Sequence, residues 1–220
     1  MTVKDRNRLD DTWSARARRE GYPARSVYKL QEIDERHGLF RKGMKVLDLG
    51  ASPGSWSLYA ARATGPSGRV LGVDLKPLAT HVLPNMEFMA GDVLELESSG
   101  IPEGPWDAVI SDLAPSTSGR KDADAARSLE LDIAAFRLAR GLIRPGGFFI
   151  AKVFQGGDTG AWVKGELTPA FRKTLLMKPK AVRKGSVEIY VLGLGFWGLG
   201  GEVSGPGGKG KGGGREDCAD

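Results

Sequence analysis

Charged residues stand in this chain where the pattern of a buried core would be apolar. Lys152 interrupts the run Phe148-Phe149-Ile150-Ala151-Lys152-Val153-Phe154. A lysine inside a central strand is costly unless a partner accepts its charge, so its presence asks for a carboxylate nearby. Asp112 closes the run Asp107-Ala108-Val109-Ile110-Ser111, and Glu188 opens Glu188-Ile189-Tyr190-Val191-Leu192. Lys29 lies far upstream, on an amphipathic stretch. A set of this kind either forms structural ion pairs or manages a proton on a bound substrate. Lys29, in basic surroundings, also fits a solvated surface.

A second group of residues suits ligand binding. The run Lys45-Val46-Leu47-Asp48-Leu49 ends in Gly50-Ala51-Ser52-Pro53-Gly54-Ser55-Trp56. Gly50 and Gly54 let backbone approach a ligand closely. The loop follows neither the triphosphate-binding pattern ending in Gly-Lys-Ser/Thr nor the Gly-x-Gly-x-x-Gly dinucleotide pattern. Asp74 closes the next apolar run, at about the 20-residue distance where an acid accepts hydrogen bonds from ribose hydroxyls. Asp92 follows Met86-Glu87-Phe88-Met89, where a carboxylate could accept from an adenine amino group. Either acid could instead be a turn residue or a helix cap. Together they favour an adenosine ligand held without a phosphate-binding lysine, and S-adenosylmethionine fits that description.

Strands alternating with helices must position these groups. The pattern predicts strands at 45–49, 69–74, 86–89, 107–112 and 148–154, and two more around Lys180 and over 188–194. Helices are predicted over 22–37, with Pro23 in the first turn, and over 56–63, 122–143 and 160–175. Arg144-Pro145-Gly146-Gly147 reads as a turn. Such alternation implies an α/β fold with a mainly parallel sheet covered on both faces. The last strands follow one another closely, which suggests one antiparallel insertion. Residues 1–20 form a basic arm whose Arg16-Ala17-Arg18-Arg19 either meets phosphates or is solvated. Residues 197–220 are rich in Gly and Lys and are expected to be disordered.

Composition narrows the chemistry. The chain has 220 residues, 40% of them hydrophobic, and a net charge of +5. That suffices for one domain with its own core, and the basic excess is compatible with nucleic acid. One cysteine, Cys218, and two histidines, His37 and His81, exclude a disulfide framework and argue against a Cys/His metal site. Met1 to Glu20 carries no apolar core of a signal peptide, and no apolar run is long enough for a membrane span. A cytoplasmic protein is the default expectation.

The sequence resembles the FtsJ-like ribose 2′-O-methyltransferases from about Arg25 to Phe196. The resemblance is carried, in order, by Arg25-Ser26-Val27-Tyr28-Lys29-Leu30, Asp48 to Trp56, Ser111 to Gly119, Lys152-Val153-Phe154-Gln155-Gly156 and Val187-Glu188-Ile189-Tyr190. It implies a single-domain, Rossmann-like seven-stranded methyltransferase fold, mostly parallel with one antiparallel strand and helices on both faces. It also implies a catalytic set of Lys29, Asp112, Lys152 and Glu188, with Lys152 as the candidate base. Contacts to S-adenosylmethionine would fall on Gly54, Trp56, Asp74, Asp92 and Asp112, with no metal. The implied substrate is a uridine ribose of large-subunit ribosomal RNA, and the implied enzyme a monomer acting within the large ribosomal subunit during ribosome biogenesis. Ser52 and Ser55 stand where the family commonly has Ala and Gly, and Ser116 where an Asn usually follows Ala-Pro. Transfer RNA, an mRNA cap, a small hydroxylated molecule or a purely RNA-binding role are the competing readings; the last would predict loss of one of the four catalytic residues, and all are present.

Overall fold

Short apolar runs separated by glycine turns build the sheet. The computed structural model describes residues 12–97, 100–102, 104–115, 121–156, 158–183 and 185–198. Residues 1–11 of the basic arm and 199–220 of the Gly/Lys-rich tail lie outside the described residues. Helix α1 spans 12–19. It is followed by α2 (Val27–His37), β1 (Lys45–Leu49), α3 (Ser55–Thr64), β2 (Arg69–Asp74), β3 (Met86–Ala90) and β4 (Trp106–Ser111). Then come α4 (Lys121–Leu142), β5 (Ile143–Phe154), α5 (Thr159–Trp162), β6 (Phe171–Met177) and β7 (Glu188–Phe196).

The strands form one seven-stranded sheet in the order β3-β2-β1-β4-β5-β7-β6. β1 pairs in parallel with β2 and β4, β4 with β5, and β2 with β3. β7 alone runs against its neighbours, β5 and β6. The expected mostly parallel sheet with one reversed strand is therefore what forms. Side chains alternate between faces along each strand. Phe149, Ala151 and Val153 join the layer containing α4 and α5, and Ile150 joins the layer of α2 and α3.

The sheet order reverses at β1, so the carboxyl ends of β1 and β4 border the crevice where such sheets bind ligands. Gly50, Asp74, Asp92 and Asp112 all lie just past or at strand ends on this edge. Among the described residues no helix is long and apolar enough to cross a membrane.

Four expectations change. α2 begins at Val27, not Tyr22, because the preceding backbone is bound to α3: Ala24 bonds Ser55 through both its N–H and its C=O, and the Ser26 carbonyl accepts from Trp56 Nε1. The helix expected over 160–175 is a single α turn, α5, continued by a π turn (Val163–Leu167) and a 3-10 turn (Thr168–Ala170). Pro169 cannot continue a helical hydrogen-bond ladder, and Phe171 beyond it enters β6 to pack on the bare backbone of Gly193. The strand expected around Lys180 is thus β6, placed earlier, and Lys180 sits in a turn with its N–H on Glu32 Oε2. Finally, the turn at 144–147 is an irregular start to β5, with a register shift against β4.

Candidate active site

Four elements deliver the charged set to one place. Helical spacing turns Val27, Leu30 and Ile33 of α2 into the core and leaves Lys29 at the rim. Glu188 begins β7, Lys152 lies near the end of β5, and Asp112 follows β4 directly. Lys152 pairs in register with Tyr190, so the two share the sheet face toward α2 and α3.

The structure brings all four together as two ion pairs. Lys29 Nζ lies 2.5 Å from Glu188 Oε1, and Lys152 Nζ lies 3.3 Å from Asp112 Oδ1. Lys152 also donates to the Asp112 backbone carbonyl at 3.0 Å. All four side chains are largely withdrawn from solvent, from 7% exposure for Lys152 to 17% for Asp112. Two positive and two negative charges balance, which is the condition for keeping such a group out of water.

The fully buried hydroxyl of Tyr190 links the pairs. It donates to Glu188 Oε1 at 2.6 Å and lies 3.2 Å from Asp112 Oδ1. Burial, reinforced by the charges of Asp112 and Glu188, drives its pKa well above the usual phenol value, so it remains a proton donor. Sequence reasoning assigned Tyr190 no role. The signal was there: it stands two residues after Glu188 on a strand, hence on the same face.

The loop after β1 holds the second group. Gly50 has φ 77°, and a Cβ there would meet Leu113 Cδ2 at 2.7 Å. Gly54 has φ 112° and caps α3 without any side-chain cap, leaving the first N–H groups of that helix facing the loop. Asp74 accepts from the Ser52 N–H at 3.0 Å and the Lys76 N–H at 2.8 Å, which anchors loop to strand. Asp92 accepts from the Leu94 N–H at 2.9 Å, as a turn residue does, at the neighbouring strand end. The indole of Trp56 is buried, bonded to Ser26 and packed against Tyr190 at 5.7 Å. Its side chain is held by these contacts.

Beneath the loop lies a carboxyl the sequence reading passed over. Asp48 is fully buried; its Oδ2 accepts from Ser57 Oγ at 2.5 Å and its Oδ1 has no partner. Burial pushes its pKa up to about 7, and the charges of Asp112 and Asp74 add to the shift.

Comparison with known proteins identifies the family. The sequence model of the FtsJ-like methyltransferase family matches residues 22–196. A protein named ribosomal RNA large subunit methyltransferase E from Desulforapulum autotrophicum is 48% identical over 196 residues, covering 88% of this chain and 96% of that one. Its namesake from Oleidesulfovibrio alaskensis is 48% identical over 193 residues, covering 86% and 93%. Among solved structures, a ribosomal RNA methyltransferase from Plasmodium falciparum superposes with a TM-score of 0.68 at 26% identity, covering 80% of this chain and all of that one.

Proposed function

The chain belongs to the FtsJ-like methyltransferase family, and on that premise we propose that it methylates a ribose 2′-hydroxyl of RNA, a uridine of large-subunit ribosomal RNA, using S-adenosylmethionine. The observation that carries this reading is the pair of ion pairs joined by Tyr190, set beside the glycine loop and Asp74. The relatives named for the ribosomal large subunit supply the substrate.

The cofactor-side residues suit an adenosyl group that carries a positive charge. Asp74 and Asp92 offer acceptors at adjacent strand ends, and the loop's positive-φ glycines leave room for backbone contact. Asp74 would hold the ribose and Asp92 the adenine, with Gly54, the Trp56 backbone and Asp112 contributing along the loop. When bound, S-adenosylmethionine supplies a methyl group on a good leaving group.

The chain's residues then do the rest. Lys152, in its unprotonated amine form, would take the proton of the 2′-hydroxyl as the oxygen bonds the methyl carbon and the carbon–sulfur bond breaks. Asp112 aims the lysine through both its carboxylate and its carbonyl. Lys29, held by Glu188, steadies the hydroxyl oxygen on the other side. Alignment of this kind lowers the barrier of an in-line displacement by holding the reacting atoms in place. Residues 21–196 make up this catalytic domain.

The test is incubation with labelled S-adenosylmethionine and, separately, large ribosomal subunits, free ribosomal RNA or transfer RNA, followed by mapping of the modified nucleotide. Label on a uridine 2′-oxygen of the large-subunit RNA is expected; label only on transfer RNA moves the substrate. Lys152→Ala should fold and bind cofactor yet lose transfer, because it removes transition-state stabilisation. Full turnover by a folded Lys152→Ala protein would place the base elsewhere.

A further inference from the structure

Lys29 and Glu188 belong to elements far apart in the chain, α2 and β7, and their ion pair is only as well placed as those elements are. A lysine ammonium on its flexible stem follows a partner that wanders, so the pair does not set its own position. Upstream, α2 is fixed to α3 through Ala24, Ser26 and Trp56. Farther along, Asp34 Oδ2 accepts from the Tyr59 hydroxyl at 2.8 Å, again on α3. These bonds hold the helix to the cofactor side of the domain. Glu32 fastens it toward β7.

Glu32 lies three residues after Lys29, one turn on along the same side of α2. Its two oxygens have separate partners. Oε1 pairs with Arg36 at 2.5 Å, an ordinary contact between helix residues four apart. Oε2 accepts the backbone N–H of Lys180 at 2.6 Å, across 148 positions of sequence. That donor belongs to the turn that leads from β6 into β7. A side-chain donor could follow a loose partner. A peptide N–H is as fixed as its backbone, and a carboxylate accepting from it makes a strong, directional bond. The Glu32 side chain is only 16% exposed. Next to Lys180, Ala181 is buried with Val27 and Tyr28 of α2 and Ala17 of α1.

The same turn places Glu188. Lys178 Nζ donates to the Ser186 carbonyl at 2.5 Å, and the Ser186 N–H donates to the Arg183 carbonyl at 3.0 Å. Ser186 Oγ accepts the Glu188 N–H at 3.1 Å. The Val187 carbonyl accepts from the Gln155 N–H at 2.8 Å, which carries the β5–β7 pairing one residue past Phe154 and Glu188. The connections close a circuit. It runs from Lys29 to Glu188, to Ser186, back along the turn to Lys180, across to Glu32, and down one helical turn to Lys29. Glu32 supplies its link with a single side chain, away from the reacting groups.

We propose that Glu32 is a positioning residue for methyl transfer: by latching the Lys29 segment of α2 to the turn before β7, it sets where the Lys29–Glu188 pair stands against the target ribose. The proposal rests on the reading of that pair as the support of the 2′-oxygen. Glu32 touches neither substrate nor cofactor, and it moves no proton.

The test is single-turnover transfer by the full chain, with RNA and S-adenosylmethionine saturating, alongside calorimetry of cofactor binding. Glu32→Ala should fold, bind cofactor as the parent does and lose about tenfold or more in rate, in kcat rather than in either KM, because small misplacements of aligned groups are costly. Glu32→Gln, whose amide oxygen can still accept the Lys180 N–H, should recover most of the loss. Lys180→Ala keeps the backbone N–H and should keep the rate. Adding Glu32→Ala to Lys29→Ala should cost nothing further, since residues acting as one unit are not additive. Glu32→Asp, which withdraws the acceptor by one methylene, takes the place of Glu32→Ala should the latter not fold. A parental rate in the folded Glu32 variant, or losses that multiply in the double variant, would overturn the proposal and leave Lys29 in its role. A parental rate in Lys29→Ala would instead refute the reading of Lys29, and the proposal with it.

Discussion

Tyr190 is a residue whose importance lies in where its one proton goes. Its hydroxyl donates to Glu188 and sits within reach of Asp112, so each ion pair feels the other. A hydrogen bond to a charged group is worth about 1.5–3 kcal/mol. Tyr190→Phe should accordingly keep the fold and the cofactor affinity but slow single-turnover transfer about tenfold or more, with kcat falling rather than KM rising; an unchanged kcat would reduce Tyr190 to core packing. At this scale the sequence was informative about charge and silent about burial. Lys29, Asp112, Lys152 and Glu188 stood out because charges in apolar runs violate a pattern. Tyr190 is ordinary in a strand, so its type violated no pattern. At Trp56 the indole is spent on Ser26 and the core, a placement that the motif does not reveal.

Elements were legible where their hydrophobic period was long and unbroken. β1, β2, β4 and most of β5 follow from short runs dominated by apolar residues, and the reversed β7 from the short link before it. The stretch 159–177 was not legible, because Thr159 to Leu175 carries apolar residues at spacings that serve a helix or a strand. Pro169 and the contact of Phe171 with Gly193 decide the matter, and that contact is tertiary. The β1–α3 unit yields a prediction of its own. Asp48 on β1 and Ser57 on α3 share a hydrogen bond in a buried layer under the glycine loop. The Asp48 pKa is pushed up to about 7 by burial, above the unfolded value of about 3.9. The folded state therefore holds the extra proton between those values, and stability must decline as pH rises through that window. Asp48→Asn should remove the decline, so its melting temperature relative to the parent should climb from pH 4 to pH 7 and then level off. A difference that does not vary with pH would mean that Asp48 is ionised in the fold.

For the molecule as a whole, the described part of the basic arm is an integral helix. Ala17 of α1 is buried with Val27, Tyr28 and Ala181, and Arg16 is engaged by Glu20 at 2.7 Å and by the Tyr28 ring at 4.6 Å. Arg18 and Arg19 are exposed. Phosphate contacts give affinity without sequence choice, and each lost contact lowers the salt dependence by about one unit of slope. Arg18→Ala with Arg19→Ala should thus weaken RNA binding and flatten its salt dependence, leaving α1 folded and cofactor affinity unchanged. Parental affinity and slope would remove α1 from the RNA surface. The bonds of Ser55 to both polar groups of Ala24, with that of Trp56 to Ser26, have a different kind of consequence. They fasten the lead-in of the Lys29 helix to the first turn of α3, against which the cofactor would lie. Occupancy there should quieten the lead-in, so the Ala24 amide should exchange with deuterated solvent more slowly when S-adenosylmethionine is present. An Ala24 exchange rate indifferent to cofactor would show that this lead-in carries no coupling between the cofactor loop and the Lys29 helix.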